Sequence, residues 1–235
     1  DTTEFYGDIS VRGGEIRGDG GFVEISGKKN LVVPLAEISI DGSDTDGENG
    51  ELLLDPTDVN ICMEDGGTLC LNANANIFSD NDINTALAGT MDVTITTSGG
   101  GGDPGDLSMN SDAVINWSSV RDLTLEGDNS VVIGGTITAT NADANLTLTG
   151  GSVDVDNTIS LSGGDFDSTG TTFNNSGSTI STNGGSIDVN HTGNVDLGYL
   201  DADTGDVSVK TTGGYIDEGT DSNARNVRGA TATLE

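Results

Sequence analysis

The feature that most constrains this chain is a period in its apolar residues. Leu123, Leu146, Phe166, Ile187 and Val207 each head a short alternating apolar segment, at spacings of 23, 20, 21 and 20. A second series, Val131, Val153, Phe173, Val195 and Tyr215, runs at 22, 20, 22 and 20. A third, Ile115, Ile137, Ile159, Ile180 and Leu200, runs at 22, 22, 21 and 20. The first series reaches back to Val93 if residues 99–105 form a bulging turn. A fixed period of this size marks a stacked array, in which each unit buries its apolar face only against its neighbours.

Within each unit, apolar residues alternate with Thr, Ser or Asp and are bounded by Gly, Asn and Asp, which is the strand pattern. Three strands in about 21 residues are too few for a propeller blade. They suit one triangular coil of a right-handed parallel β-helix, each coil adding roughly 4.8 Å of height. The expected fold is therefore an all-β solenoid, a single rod over residues 1–235. Residues 1–61 read as irregular first coils, 62–91 as an insertion with one small hairpin and one short helix, and 92–235 as regular coils. The helix is expected between Ser79 and Gly89, with Ser79 or Asp80 as cap, Ile83 and Leu87 on one face, and Gly89 as stop. Asp122, Asn145, Asp165, Ser186 and Asp206 precede the first series and should form a column at a turn, where short polar side chains bond to backbone. Gly127, Gly150, Gly170 and Gly213 follow the same strand, where turns are expected to need positive φ.

A formal charge of −31 with only 33% hydrophobic residues would ordinarily suggest disorder. The ordered recurrence of the apolar residues argues against it. The acidity excludes nucleic acid as a partner. No apolar run approaches the roughly 18 residues of a membrane span, so no membrane insertion is expected. Residues 30–209 hold 29 carboxylates and one cation, Arg121. Closely packed Asp side chains repel unless screened or coordinated, so Ca²⁺ is the cofactor to consider. Asp44, Asp46 and Glu48, with loop carbonyls, are the best candidate ligands; a solvated acidic surface is the alternative. Further carboxylate groups are Asp154 with Asp156, Asp165 with Asp167, and Asp201 with Asp203 and Asp206. A turn at Asp65-Gly66-Gly67 would set Cys62 opposite Cys70 on an antiparallel pair, within bridging range. A disulfide is expected there, with two buried thiols as the alternative.

No catalytic residue is assigned. Arg121 stands alone, and the carboxylates are too numerous for any one pair to be informative. His191, the single histidine, reads as an exposed turn residue rather than a base. Trp117 and Tyr199 read as covering turns or capping the core, with exposed sugar-stacking platforms as the alternative.

Two blocks carry a resemblance: Gly20-Gly-Phe-Val-Glu-Ile-Ser-Gly27 and Gly50-Glu-Leu-Leu-Leu-Asp-Pro-Thr-Asp-Val-Asn-Ile61. With Ala86–Thr97, Ile115-Asn-Trp117 and Leu123-Thr-Leu125, they resemble the large exoproteins of the filamentous haemagglutinin type, exported by two-partner secretion in Gram-negative bacteria. The resemblance covers residues 8–220. It implies a β-helical rod, secreted or displayed on the cell surface, that acts as an adhesin or structural stalk. The implied partners are a host or neighbouring cell surface or other copies of the chain, with an outer-membrane transporter during secretion. The family's amino-terminal secretion domain is absent, so the chain is expected to be an interior piece or a processed subunit. A self-assembling extracellular filament and a polysaccharide-active β-helix enzyme are the competing functional readings.

Overall fold

The computed structural model describes residues 2–27, 30–35, 40–43, 47–63, 76–98, 104–218 and 226–235. The first strands are β1 (Thr2–Glu4), β2 (Ile9–Ser10), β3 (Phe22–Gly27), β4 (Asn30–Val32), β5 (Ile40–Asp41), β6 (Gly50–Pro56), β7 (Val59–Cys62) and β8 (Asn76–Ser79). The helix α1 (Asp80–Leu87) leads to β9 (Met91–Thr97), β10 (Asp106–Met109), β11 (Val114–Trp117), β12 (Leu123–Ile133), β13 (Thr136–Ala139), β14 (Leu146–Val155), β15 (Ile159–Leu161) and β16 (Phe166–Asn174). The remainder are β17 (Thr179–Ser181), β18 (Ile187–His191), β19 (Val195–Leu197), β20 (Tyr199–Asp201), β21 (Val207–Thr211), β22 (Ile216–Glu218), β23 (Val227–Arg228) and β24 (Ala232–Leu234).

The molecule is mostly strand with one short helix, and the strands are paired in parallel. One ladder runs β3-β6-β9-β12-β14-β16-β18-β21-β24. A second runs β8-β7-β10, continues through the far halves of β12, β14 and β16, and ends in β19 and β22. The third is β11-β13-β15-β17-β20-β23. From β9 onward the chain visits the ladders in turn, so each strand pairs with its counterpart one period later. Leu123, Leu146, Phe166, Ile187 and Val207 are direct partners, and Val93 heads them. Ile115, Ile137, Ile159, Ile180 and Leu200 are likewise in register. The second series holds through Val195 but then takes Ile216 rather than Tyr215. Tyr215 is 55% exposed and offers only its backbone carbonyl to Val195.

Alternation places one face of each strand inward. Buried and half-buried positions alternate along β9, β12 and β14 because Val, Ile and Leu alternate there with Thr, Asp or Ser. Stacked columns follow, such as Ile25-Leu54-Ile95-Leu125-Leu148. Each such side chain, fully buried, stabilises the stack by roughly 1.5–3 kcal/mol before entropy is counted.

The turn before the first ladder is held by a polar column. Asp122 N–H donates to Asp92 Oδ1 (3.0 Å), Asn145 N–H to Asp122 Oδ1 (2.9 Å), Asp165 N–H to Asn145 Oδ1 (2.8 Å) and Ser186 N–H to Asp165 Oδ1 (2.6 Å). Asp206 Oδ1 then accepts from Thr231 N–H at 3.2 Å. Each acceptor satisfies a backbone donor of the next rung that no strand partner reaches. One residue upstream, Gly185 and Gly205 pack on the preceding turn. A Cβ at Gly185 would lie 2.1 Å from Gly164 O, and one at Gly205 would lie 2.0 Å from Gly185 O.

The glycines on the far side of the strand need a correction. Gly127, Gly150 and Gly170 are in register, but the next positions are His191 and Thr211, not Gly213. Of the three, only Gly170 has positive φ, at 154°. Space decides the others: a Cβ at Gly127 would meet Ser130 O at 2.1 Å.

The helix forms where expected. Ser79 is the N-cap: its Oγ accepts from Asp82 N–H at 3.0 Å and donates to Asp82 Oδ2 at 2.8 Å. Ile83 and Leu87 are fully buried. The C-cap is Ala88, one residue before the expected stop. Asp80 Oδ2 accepts from Val114 N–H at 2.9 Å and ties the helix to β11. Of the expected hairpin, residues 64–75 lie outside the described residues. β7 and β8, which flank them, pair in parallel.

Candidate functional site

The carboxylates are mostly committed to the scaffold. Asp58, 7% exposed, accepts through Oδ1 from Gly105 N–H (2.9 Å) and Asp106 N–H (2.8 Å), anchoring the chain where β10 begins. Asp154 accepts from Asn174 Nδ2 at 3.2 Å. Asp201 is held by Arg228, whose Nη1 lies 2.9 and 3.0 Å from the two carboxylate oxygens, while Nη2 reaches Asp203. That clamp raises the Arg228 pKa further. Asp41 accepts from Ser43 N–H at 3.1 Å with Arg12 nearby, and these hold its carboxyl below the usual range, the Ser43 hydrogen bonds chiefly.

Two carboxylates go the other way. Burial raises the Asp122 pKa against the opposing pull of Asn145, and Asp92 and Asp165 add repulsion. Partial desolvation also raises the Asp167 pKa although its side chain is exposed to solvent, and its register neighbour Asp188 and nearby Asp165 repel it further. Carboxylate repulsion thus acts on Asp122 within the column and on Asp167 two residues beyond Asp165.

For calcium, Asp44 and Asp46 lie outside the described residues. Glu48 is exposed, and its N–H donates to Asp19 Oδ1 at 3.1 Å. Among the described residues, no three His, Cys, Asp or Glu side chains are grouped to hold a metal ion. Cys62 is fully buried at the end of β7, and no described cysteine is free. Its expected partner, Cys70, lies outside the described residues.

His191 overturns its sequence reading. It is fully buried, not exposed. Its Nε2 lies 3.0 Å from Ser168 Oγ, and its ring packs at 5.5 Å from Phe173. Burial pushes its pKa down to about 4. The signal was present in the sequence: His191 continues the period-two inward alternation of Ile187 and Val189. Trp117 is 4% exposed, and its Nε1 donates to Arg121 O at 2.7 Å, so the indole braces the turn that follows β11. Tyr199 is half-buried, with its hydroxyl 3.4 Å from Asp201 Oδ2. Arg121 is only partly exposed, and its Nε and Nη1 are buried without an acceptor among the described residues.

Two concavities lie near α1. One, about 210 Å³, is apolar and lies between α1 and the Ile40, Leu52 and Met91 side chains. The other, about 430 Å³, is an open groove beside Asn84, Asn116, Trp117 and Thr140. Their polar lining is Ser and Thr hydroxyls and Asn amides, with no titratable side chain among the lining residues. Comparison of the chain with protein-family models, curated proteins and solved structures gives no match.

Proposed function

We propose that the chain is a right-handed parallel β-helix serving as a structural or adhesive rod, a segment of a secreted or cell-surface exoprotein of the filamentous haemagglutinin type. The observation that carries this reading is the uniformity of the ladders. The same three parallel tracks recur period after period, and their polar groups are turned to holding one rung on the next. A molecule organised this way offers length and a repeated surface rather than a converging pocket. The heavy carboxylate excess supports an extracellular setting, where it keeps the rod soluble and discourages side-by-side association. The proposed partners are a cell surface and, during export, an outer-membrane transporter.

Electron microscopy of the purified chain, paired with binding of labelled chain to intact cells, tests the proposal. Slender particles of uniform width and saturable binding displaced by unlabelled chain are expected. Cleavage of an acidic polysaccharide, abolished by Arg121→Ala, would replace the rod reading with an enzymatic one.

A further inference from the structure

At the corner that follows the first ladder, one rung is built differently from its neighbours. β12, β14 and β16 run through the corner as single strands, with Gly127, Gly150 and Gly170 in register there. The next rung breaks into β18 and β19, and His191 stands in the glycine position. Its imidazole turns inward and is fully buried. Nε2 is matched with Ser168 Oγ, whereas Nδ1 is buried with no hydrogen-bond partner among the described residues. Ser168 itself interrupts an otherwise aliphatic column, between Leu148 and Val189.

Among the described residues no ionised group faces the ring. On β16 Asp167 is exposed, and on β18 Asp188 is exposed. Asp196 on β19 and Lys210 on β21 are half-buried between inward-facing neighbours of their own strands. Thr211, half-buried, is the register partner of His191 on the next rung, and the buried residues around it are Phe166, Ser168, Phe173, Val189, Val195, Val207 and Val209. An imidazolium donates from both nitrogens. Here the second donor would be buried without an acceptor, which a protein interior tolerates poorly. The corner is held to β16 by Thr192 N–H to Gly170 O (3.0 Å), Gly193 N–H to Thr171 O (2.6 Å) and Phe173 N–H to Asn194 O (3.0 Å), and to β21 by the Thr211 hydroxyl, which donates to Gly193 O.

We propose that His191 is an acid-operated latch: taking up a proton releases the 191–194 corner from β16 while the rungs on either side stay paired. The proton comes from solvent, the imidazolium gains water as its acceptor, and the swing is reversible because neutral imidazole repacks on Phe173 and Ser168. This inference does not depend on what the rod binds.

Amide exchange by NMR, corrected for the intrinsic pH dependence, reads the latch at Thr192 and Gly193. An open imidazole titrates at the ordinary 6.5 and the closed one at about 4. Opening should therefore become about 30-fold more frequent between about pH 8 and about pH 5. Leu123 and Leu146, whose amides donate to Asn145 O and Asp165 O in other rungs, serve as references and should not follow. His191→Gln should abolish the response, and Asp167→Asn should leave it intact. The single histidine gives an unambiguous Cε1–H signal. If corner and reference amides respond alike, or His191 titrates near 6.5 with the corner still protected, the latch is wrong. Should His191→Gln fail to fold, the corner-to-reference contrast in the unmutated protein decides the matter alone.

Discussion

Replacing Asp58 with alanine should weaken the molecule locally and measurably. Its Oδ1 is the acceptor for two backbone donors, Gly105 N–H and Asp106 N–H, in a site only 7% exposed. A buried donor left without an acceptor costs about 1–3 kcal/mol, and a donor to a charged group lies toward the upper end. Gly105 is buried and Asp106 half-buried, so water can relieve the second donor more than the first. The loss should therefore be about 3 kcal/mol rather than the sum of two upper limits. Removing a carboxylate from a chain of charge −31 acts in the opposite direction, by relieving repulsion. Asp58→Asn separates the two effects, because it removes the same charge but keeps an oxygen in place. Urea unfolding can be followed through Trp117, the single tryptophan, which is 4% exposed in the fold. Asp58→Ala should lower the midpoint by about 1 M or more relative to Asp58→Asn, with the slope unchanged. Equal midpoints for the two variants would show that the acceptor geometry is not what holds this site, and the reasoning would fail.

Other outcomes follow from the same contacts. Asp122→Asn should raise the melting temperature at neutral pH, since the amide oxygen can still accept from Asn145. Because burial raises the folded pKa of Asp122 above its unfolded value, ionisation above that folded value opposes folding. The advantage of Asn should thus be full at neutral pH and shrink as pH falls towards the unfolded value of 3.8; a constant advantage across the titration would contradict the assignment. If Asp44, Asp46 and Glu48 hold Ca²⁺, millimolar Ca²⁺ should raise the melting temperature more than NaCl of matched ionic strength, and chelator should reverse it. Peptide mapping without reductant should recover Cys62 and Cys70 as one linked fragment; two separately alkylated peptides would exclude the bridge.

The period was legible because stacked strands demand the same residue type at the same inward place, rung after rung. Ile115 through Leu200 and Val93 through Val207 could be aligned from that rule alone. The polar column could be read for the same reason: Asp and Asn carry a short acceptor for a turn amide of the next rung, as Asp122, Asn145, Asp165 and Asp206 show. The rule loses force where the rungs are unequal. Tyr215 missed its place by one residue because the turn before it is longer by one than the ladder tolerates in phase. The glycine column was seen, but its cause was not, since sequence does not distinguish a residue kept small for its dihedral from one kept small for a carbonyl packed against it. At His191 polarity points outward and period-two alternation points inward, and alternation prevails. Arg121's buried nitrogens and the commitment of Asp58 to two amides depend on loop paths that no local pattern encodes.

The polar column of Asp122, Asn145, Asp165, Ser186 and Asp206 has a consequence for how such a chain can change its length. Excising Asp165 through Gly185 would deliver the Ser186 amide to Asn145 Oδ1 and lay Ile187 on Leu146, both pairings of a kind already present. Excising a single residue from a strand would instead turn a run of side chains inside out. Length is therefore quantised: a duplication or loss of one whole rung is nearly silent to the fold. Growth by tandem copying of such a rung needs no new kind of interface, because Asp122, Asn145 and Asp165 each already take the turn amide of the rung that follows.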